Sequence, residues 1–322
     1  MYVDMPLDEL RAYRPARTEP EDFDAFWKAT LDEARAAARP AVLDPVATRL
    51  TMADVFDVTF TGFAGQSVKA WLWLPRGHGG PLPCIVEYLG YGGGRGPAYD
   101  MKLWPAAGYA HLIMDSRGQS SHYGSADTPD LGHDGSPQVG GFTTRGIRSP
   151  HTHYYRRLFT DAVRAVDTAR TLDAVDPERI VVKGGSQGGG IALAAAGLSE
   201  GLAGALVDVP FLCGYRRATE ITDEYPYREI ADYLRYRRDR VEETFHTLSY
   251  LDGINFAARA DAPAMFSVGL MDAVCPPSTV FAAYNHWAGT DKDICVWTYN
   301  GHDGGAAHQT GEHLDWLARV LG

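Results

Sequence analysis

Apolar and polar residues alternate through Val55-Phe56-Asp57-Val58-Thr59-Phe60 and again through Val68-Lys69-Ala70-Trp71-Leu72-Trp73-Leu74. A period of two is what antiparallel strands with one buried face require. The pattern then changes. Residues 83–89, 109–115, 180–182, 206–211, 263–270 and 294–299 are short apolar runs with little alternation, the form taken by strands covered on both faces. Helical spacing separates several of them. Over 161–172, Ala162, Val163, Val166 and Ala169 share one side, and 312–321 is a second amphipathic stretch. Antiparallel strands followed by alternating strands and helices predict an α/β architecture, with a mostly parallel central sheet and flanking helices.

Three regions depart from this rhythm. Residues 1–40 read as an N-terminal helical extension: Pro20 and the acids at 19, 21 and 22 mark a helix start, Phe23, Phe26 and Trp27 fall on one face, and Pro40 stops the run. Residues 120–150 are rich in Gly, Ser, Asp and Pro, a long loop of the kind that often serves function. Residues 212–250, dense in Tyr, Arg and Glu with helical runs near 229–238, read as a cap inserted over a site. The whole chain, 1–322, is expected to form one domain.

One stretch carries chemistry. The strand Ile180-Val181-Val182 runs into Gly184-Gly185-Ser186-Gln187-Gly188-Gly189-Gly190, then into helix-compatible Ile191 to Ala196. Gly184-x-Ser186-x-Gly188 at a strand-to-helix turn is the nucleophile elbow of α/β-hydrolases. The competing reading, a phosphate-binding turn, fails on spacing: G-x-G-x-x-G cannot be laid over 185–190, and no Walker lysine follows. A serine nucleophile needs a base and an acid, in the chain order Ser, Asp, His, each on a loop after a strand. Asp272 and His302 satisfy both conditions. Asp291 and Asp293 lie just before a strand, at the wrong sheet edge, and His151 and His153 precede the serine. His302, His308 and His313 are spaced by six and five, which gives no pair on one helical face, so no metal site is expected. The glycine-rich 90–96 loop follows an early strand. It would place the Tyr91 N–H beside that of Gln187 as an oxyanion hole.

Charge and cysteines narrow the partners. The formal net charge is −11 with 22% charged residues, which argues against nucleic acid or anionic membranes. The four cysteines form no C-x-x-C pair. Residues 1–9 lack a basic region and an apolar run, so a soluble cytoplasmic protein with reduced thiols is expected.

Several stretches together resemble the acetyl xylan esterase and cephalosporin-C deacetylase family, carbohydrate esterase family seven. They are Gly90-Tyr91-x-Gly93-Gly94-Arg95-Gly96, Arg117-Gly118-Gln119, Tyr154-Tyr155-Arg156-Arg157, Gly184 to Gly190, Asp208-Val209-Pro210-Phe211-Leu212-Cys213, Gly269-Leu270-Met271-Asp272-x-x-Cys275-Pro276-Pro277-Ser278-Thr279 and Asn300-Gly301-His302. The resemblance implies an α/β-hydrolase fold and a serine esterase that removes O-acetyl groups from small acetylated sugars and cephalosporin C without a cofactor. It also implies a homo-hexamer built as a trimer of dimers. Ser186, Asp272 and His302 would be the triad, with Tyr91 and Gln187 as oxyanion donors. Arg117, Gly118, Gln119 and Asp303 would support the site. Apart from the resemblance, Tyr225-Pro226-Tyr227 in the inserted segment is expected to shape a small acyl pocket, with Tyr91 and Pro226 touching substrate. Two positions depart from the family: Asp303 stands where Glu is usual, and Leu89 where His is frequent. The expectation is that Asp303, one methylene short, reaches Arg117 by a longer or water-bridged contact.

Overall fold

A computed structural model describes residues 1–132 and 140–322. Part of the long 120–150 loop, residues 133–139, lies outside the described residues. Helices α1 (Leu7–Ala12) and α2 (Phe23–Ala36) precede strands β1 (Val42–Pro45), β2 (Ala53–Thr61), β3 (Ser67–Pro75), β4 (Leu82–Tyr88) and β5 (Ala110–Met114). Then come α3 (Tyr154–Ala169), β6 (Val175–Gly185), α4 (Gln187–Leu198) and β7 (Gly204–Asp208). Helices α5 (Tyr215–Ile221), α6 (Arg228–Arg235), α7 (Val241–Ser249) and α8 (Gly253–Ala257) interrupt the alternation. It resumes with β8 (Ala264–Gly269), α9 (Pro277–His286), β9 (Lys292–Trp297) and α10 (Ala306–Leu321).

The strands form one sheet in the order β1-β2-β3-β5-β4-β6-β7-β8-β9. Pairings from β1 through β3 to β5 are antiparallel, and those from β5 to β9 are parallel. All the parallel strands therefore end at one edge, where α/β folds place their ligands. Successive side chains divide between two faces. Cys84, Val86, Ile180, Val182, Ala205 and Val207 belong to the large core with α3, α4 and α8. Ile85, Val181, Leu206 and Met265 pack against Trp316, Leu317 and Leu321 of α10. Helix α4 is buried on all sides from Gln187 to Ala196, which explains why its sequence has no polar stripe.

The aromatic face near the N-terminus docks. Phe23, Phe26 and Trp27 are buried. The Trp27 ring meets Phe159 and Phe256, and its indole N–H donates to the Tyr250 carbonyl at 2.9 Å. Two helices begin earlier than their apolar period suggests. Helix α3 starts at Tyr154 because His153 Nδ1 accepts the Tyr155 N–H at 3.2 Å and caps it. Helix α10 starts at Ala306, directly after Gly304 and Gly305 at φ 52° and 92°. Strand β1 has no alternation of its own, and its pairing with β2 supplies the order.

A buried ion network fixes the turn after β5. Arg117 and Asp161 are fully buried, and the guanidinium donates to both carboxylate oxygens at 2.6 and 2.8 Å. Arg117 also donates to Gln66 Oε1 at 2.7 Å, and Asp161 accepts the Phe63 N–H at 2.8 Å. Arg157 forks onto Asp130 at 2.8 and 2.7 Å. Gly118 has φ 65°, and a Cβ there would come within 3.0 Å of the Asp130 side chain. Arg117→Leu strands the Asp161 carboxylate out of water. It is expected to cost about 3–5 kcal/mol in urea unfolding, and a loss below about 1 kcal/mol, the scale of an exposed pair, would contradict this role.

Candidate active site

Ser186 stands between β6 and α4 at φ 56°, ψ −122°. Such a backbone is costly for a residue with a Cβ and persists only when its surroundings impose it. Here they do. Ser186 N–H donates to the Asp208 carbonyl at 3.0 Å, and its carbonyl accepts from Gly190 and Phe211 at 3.1 and 2.9 Å. The flanking glycines are sterically required. A Cβ on Gly184 would sit 2.1 Å from the Gly188 carbonyl oxygen, and one on Gly188 would sit 2.2 Å from that of Tyr88. The spacing read in the sequence is thus the spacing at which strand, turn and helix can touch.

The structure brings the three predicted side chains into one relay. His302 Nε2 lies 2.9 Å from Ser186 Oγ, and His302 Nδ1 lies 2.8 Å from Asp272 Oδ2. Asp272, in the loop after β8, is fully buried. Its other oxygen accepts the N–H groups of Val274 and Cys275 at 2.8 and 2.9 Å. The carboxylate is therefore oriented from both sides. His302 arrives from the loop after β9 and remains partly open to the cavity. Cys275 sits beside the relay, its sulfur within 4.8 Å of side-chain atoms of Asp272 and His302. Burial, followed by the Asp272 charge, pushes that thiol well above its ordinary pKa, which makes it a packed neutral group.

A buried amide network joins the two predicted oxyanion segments. Gln119 and Gln187 exchange side-chain hydrogen bonds at 2.8 and 3.3 Å. Gln119 Oε1 accepts the Gly92 N–H at 2.7 Å, and Gln187 Nε2 donates to the Leu89 carbonyl at 3.2 Å. Tyr155 donates to Gln187 Oε1 at 3.0 Å. Tyr154 accepts from Gln119 and donates to the Arg117 carbonyl at 2.6 Å. The Gln187 side chain is thus turned into the core, and its backbone N–H begins a helix beside Ser186.

These groups open on a cavity of about 1180 Å³ that Ser186, His302, Tyr91, Leu89, Pro226, Glu229 and Val274 help to line. A second wall is polar: Glu87, Lys183 and Asp208 project from the sheet and His313 from α10. Lys183 reaches Glu87 at 3.3 Å, and His313 reaches Asp208 at 3.2 Å.

Other residues singled out in the sequence fall elsewhere. Among the described residues, Asp303 and Arg117 form no direct ion pair or hydrogen bond. It is exposed and accepts from Gly301 N–H at 3.0 Å and Asn300 Nδ2 at 2.6 Å, so it shapes the histidine turn locally. Arg117 is already taken by Asp161, Gln66 and Asp130. Asp291 and Asp293 lie near Arg319, away from the relay. His153 caps α3, and His308 packs near Trp297. Asp272, Cys275 and His302 bring donor atoms within 4.8 Å of one another, but two of the three are relay members. Sequence reasoning missed Glu229, Thr143 and the tyrosine pair 154–155 as parts of the site. The bonds at 2.9 and 3.0 Å that tie Tyr154 and Tyr155 to the glutamines join positions far apart in sequence, and the motif at 154–157 does not reveal these partners.

The chain is similar in sequence and fold to known esterases. The family model for acetyl xylan esterase (AXE1) matches residues 1–320. An acetyl xylan esterase from Paenibacillus sp. R4 is 37% identical, with TM-score 0.90 over 98% of this chain and 100% of that one. Acetyl xylan esterase 1 from Thermoanaerobacterium sp. JW/SL YS485 is 34% identical, with TM-score 0.88 over 98% and 99%. The acetyl esterase Axe7A of Xylanibacter ruminicola is 27% identical over 84% of this chain, which spans 61% of that longer relative. A Pyrococcus horikoshii acylaminoacyl peptidase, at 16% identity and TM-score 0.59, shares the fold alone. With the family pattern matched from end to end and the α/β-hydrolase sheet in place, the chain belongs to the acetyl xylan esterase family of carboxylic ester hydrolases.

Proposed function

We propose that this protein is a serine esterase that removes O-acetyl groups from small acetylated sugars, with cephalosporin C as a further substrate. The observation that carries the reading is the continuous relay Ser186–His302–Asp272 at 2.9 and 2.8 Å, opening on the cavity. His302 takes the Ser186 proton as Oγ attacks the acetyl carbonyl. The Tyr91 and Gln187 backbone N–H groups hold the oxyanion, favoured by the N-terminal dipole of α4. His302 then passes the proton to the leaving alcohol, and an acetyl group remains on Ser186. Water, deprotonated by His302, attacks the acetyl-enzyme; the Ser186 Oγ–acyl bond breaks, acetate leaves and His302 returns the proton to Ser186 Oγ. Asp272 holds the imidazole with Nδ1–H toward itself, the tautomer that leaves Nε2 free to accept. The polar wall of Glu87, Lys183, Asp208 and His313 suits a leaving group rich in hydroxyls.

One observation favours a broader ester hydrolase as the second reading. About 1180 Å³ is more room than an acetyl group needs, and that space could serve a bulky leaving group or a longer acyl chain. Initial rates on 4-nitrophenyl acetate, butyrate and octanoate separate the two. A steep fall from acetate to butyrate is expected, with acetate release from xylose tetraacetate and cephalosporin C. Rates that rise with acyl length would establish the broader enzyme instead.

Two substitutions probe the relay. Ser186→Ala should abolish hydrolysis and labelling by a fluorophosphonate while the far-ultraviolet spectrum stays unchanged. Retained acetate release from that variant would remove Ser186 from the mechanism. Asp272→Asn should present the wrong imidazole tautomer and lower kcat by about 10⁴-fold. A loss of only a few-fold in steady-state kinetics would show that Asp272 does not orient His302.

A further inference from the structure

The segment that offers the Tyr91 N–H has little stiffness of its own. It runs through Gly90, Gly92, Gly93 and Gly94, with Gly92 at φ 75°, and glycine-rich backbone resists reorientation poorly. An oxyanion donor must nevertheless be aimed before the charge develops, because a group that reorients during reaction stabilises the transition state less. On one side Gln119 fixes the following residue through the Gly92 N–H. On the other side the restraint is Tyr91's own side chain.

The Tyr91 phenol oxygen accepts the N–H groups of Gly141 and Phe142 at 2.9 and 3.0 Å and donates to Glu229 Oε1 in a very short contact. Glu229 is the second residue of α6, in the inserted segment. Its carboxylate also accepts the Gly141 N–H at 2.7 Å, the Thr143 N–H at 3.2 Å and the Thr143 hydroxyl at 2.5 Å. The Tyr91 ring lies edge-on to Phe142 and Phe211. Burial, and then the Glu229 charge, raise the phenol's pKa. The hydroxyl therefore stays protonated and keeps donating. A carboxylate with four donors, set against a tyrosine that lines the same cavity as Ser186, is more than a packing contact requires.

We infer that Glu229 is a positioning residue for the esterase reaction: through the Tyr91 hydroxyl it holds the Tyr91 backbone N–H at the place where the oxyanion forms, and so couples the inserted segment to catalysis. The inference rests on the reading of Tyr91 as an oxyanion donor. Its signature is kinetic. A misdirected oxyanion donor weakens the transition state and leaves the bound ester nearly untouched, so the loss falls on kcat and not on KM. A clamp that only ordered residues 140–143 would alter stability or KM.

The experiment compares Tyr91→Phe, Glu229→Gln and the double variant in steady-state hydrolysis of 4-nitrophenyl acetate, each checked for fold by circular dichroism. Each single variant is expected to lose about 10- to 100-fold in kcat, short of the ~100- to 1000-fold cost of removing a donor outright, with KM within about threefold of the parent. The double variant is expected to be no slower than the worse single variant, because both remove the same restraint. Thr143→Val removes one of the four donors to Glu229 and should show a smaller kcat loss even if the Glu229 variants fail to fold. Folded variants with the parental kcat, losses that multiply in the double variant, or a change confined to KM would each overturn the inference. Fluorophosphonate labelling of the unmodified protein, with Ser186→Ala as control, separates the layers: an unlabelled parent means that the esterase reading itself has failed.

Discussion

The site depends on one backbone constraint, the positive φ of Ser186. That conformation lifts the hydroxyl off the sheet edge and turns the start of α4 toward the same point. It is tolerable only because β4, β6, β7 and α4 approach closely enough to hold it. The Tyr88 and Gly188 carbonyls occupy the volumes that side chains at 188 and 184 would need, and Asp208 and Phe211 pin the serine's own amide and carbonyl.

 Phe211 does so by donating its N–H to the Ser186 carbonyl at 2.9 Å, and the Asp208 carbonyl accepts the Ser186 N–H at 3.0 Å. The parallel register of β6 against β7, which sets Gly185 opposite Asp208, is what brings these partners within reach.

A second layer carries that precision outward. The Gln119–Gln187 pair joins the two loops that face the serine, and Tyr154 and Tyr155 satisfy the remaining amide groups. Buried amides tolerate little error, since a lost partner leaves a donor or acceptor without water. Beneath them, Arg117 and Asp161 hold the turn from which Gln119 projects. The ion pair, the turn, the glutamine pair and the glycine-rich loop after β4 therefore form one connected support. Asp272 and His302 come to the same edge from β8 and β9, independently of that support.

Much of this was legible in the sequence, for local reasons. The elbow shows itself because steric contact demands glycine at fixed spacing around Ser186. The parallel strands show themselves because burial on both faces demands unbroken apolar runs. Asp272 and His302 could be placed because each follows such a run. The rest depends on distant partners. Strand β1 is ordered by its pairing with β2, and α3 begins at Tyr154 because its first turn is buried and capped by His153. Asp303 illustrates the limit most clearly. The family resemblance suggested Arg117 as its partner, but Arg117 is committed to Asp161, 44 residues onward in the chain. Glu229 escaped notice for the same reason, since its partners Tyr91 and Thr143 are 138 and 86 residues away.

Whether hydrolysis passes through an acyl group on Ser186 is decided by rapid-quench mass spectrometry with 4-nitrophenyl acetate. A serine relay gives a transient adduct with the mass of one acetyl group, confined to the peptide that carries Ser186 and decaying as acetate is released. Acetate release with no adduct at any quench time, or an adduct that maps to another residue while turnover proceeds, would contradict it.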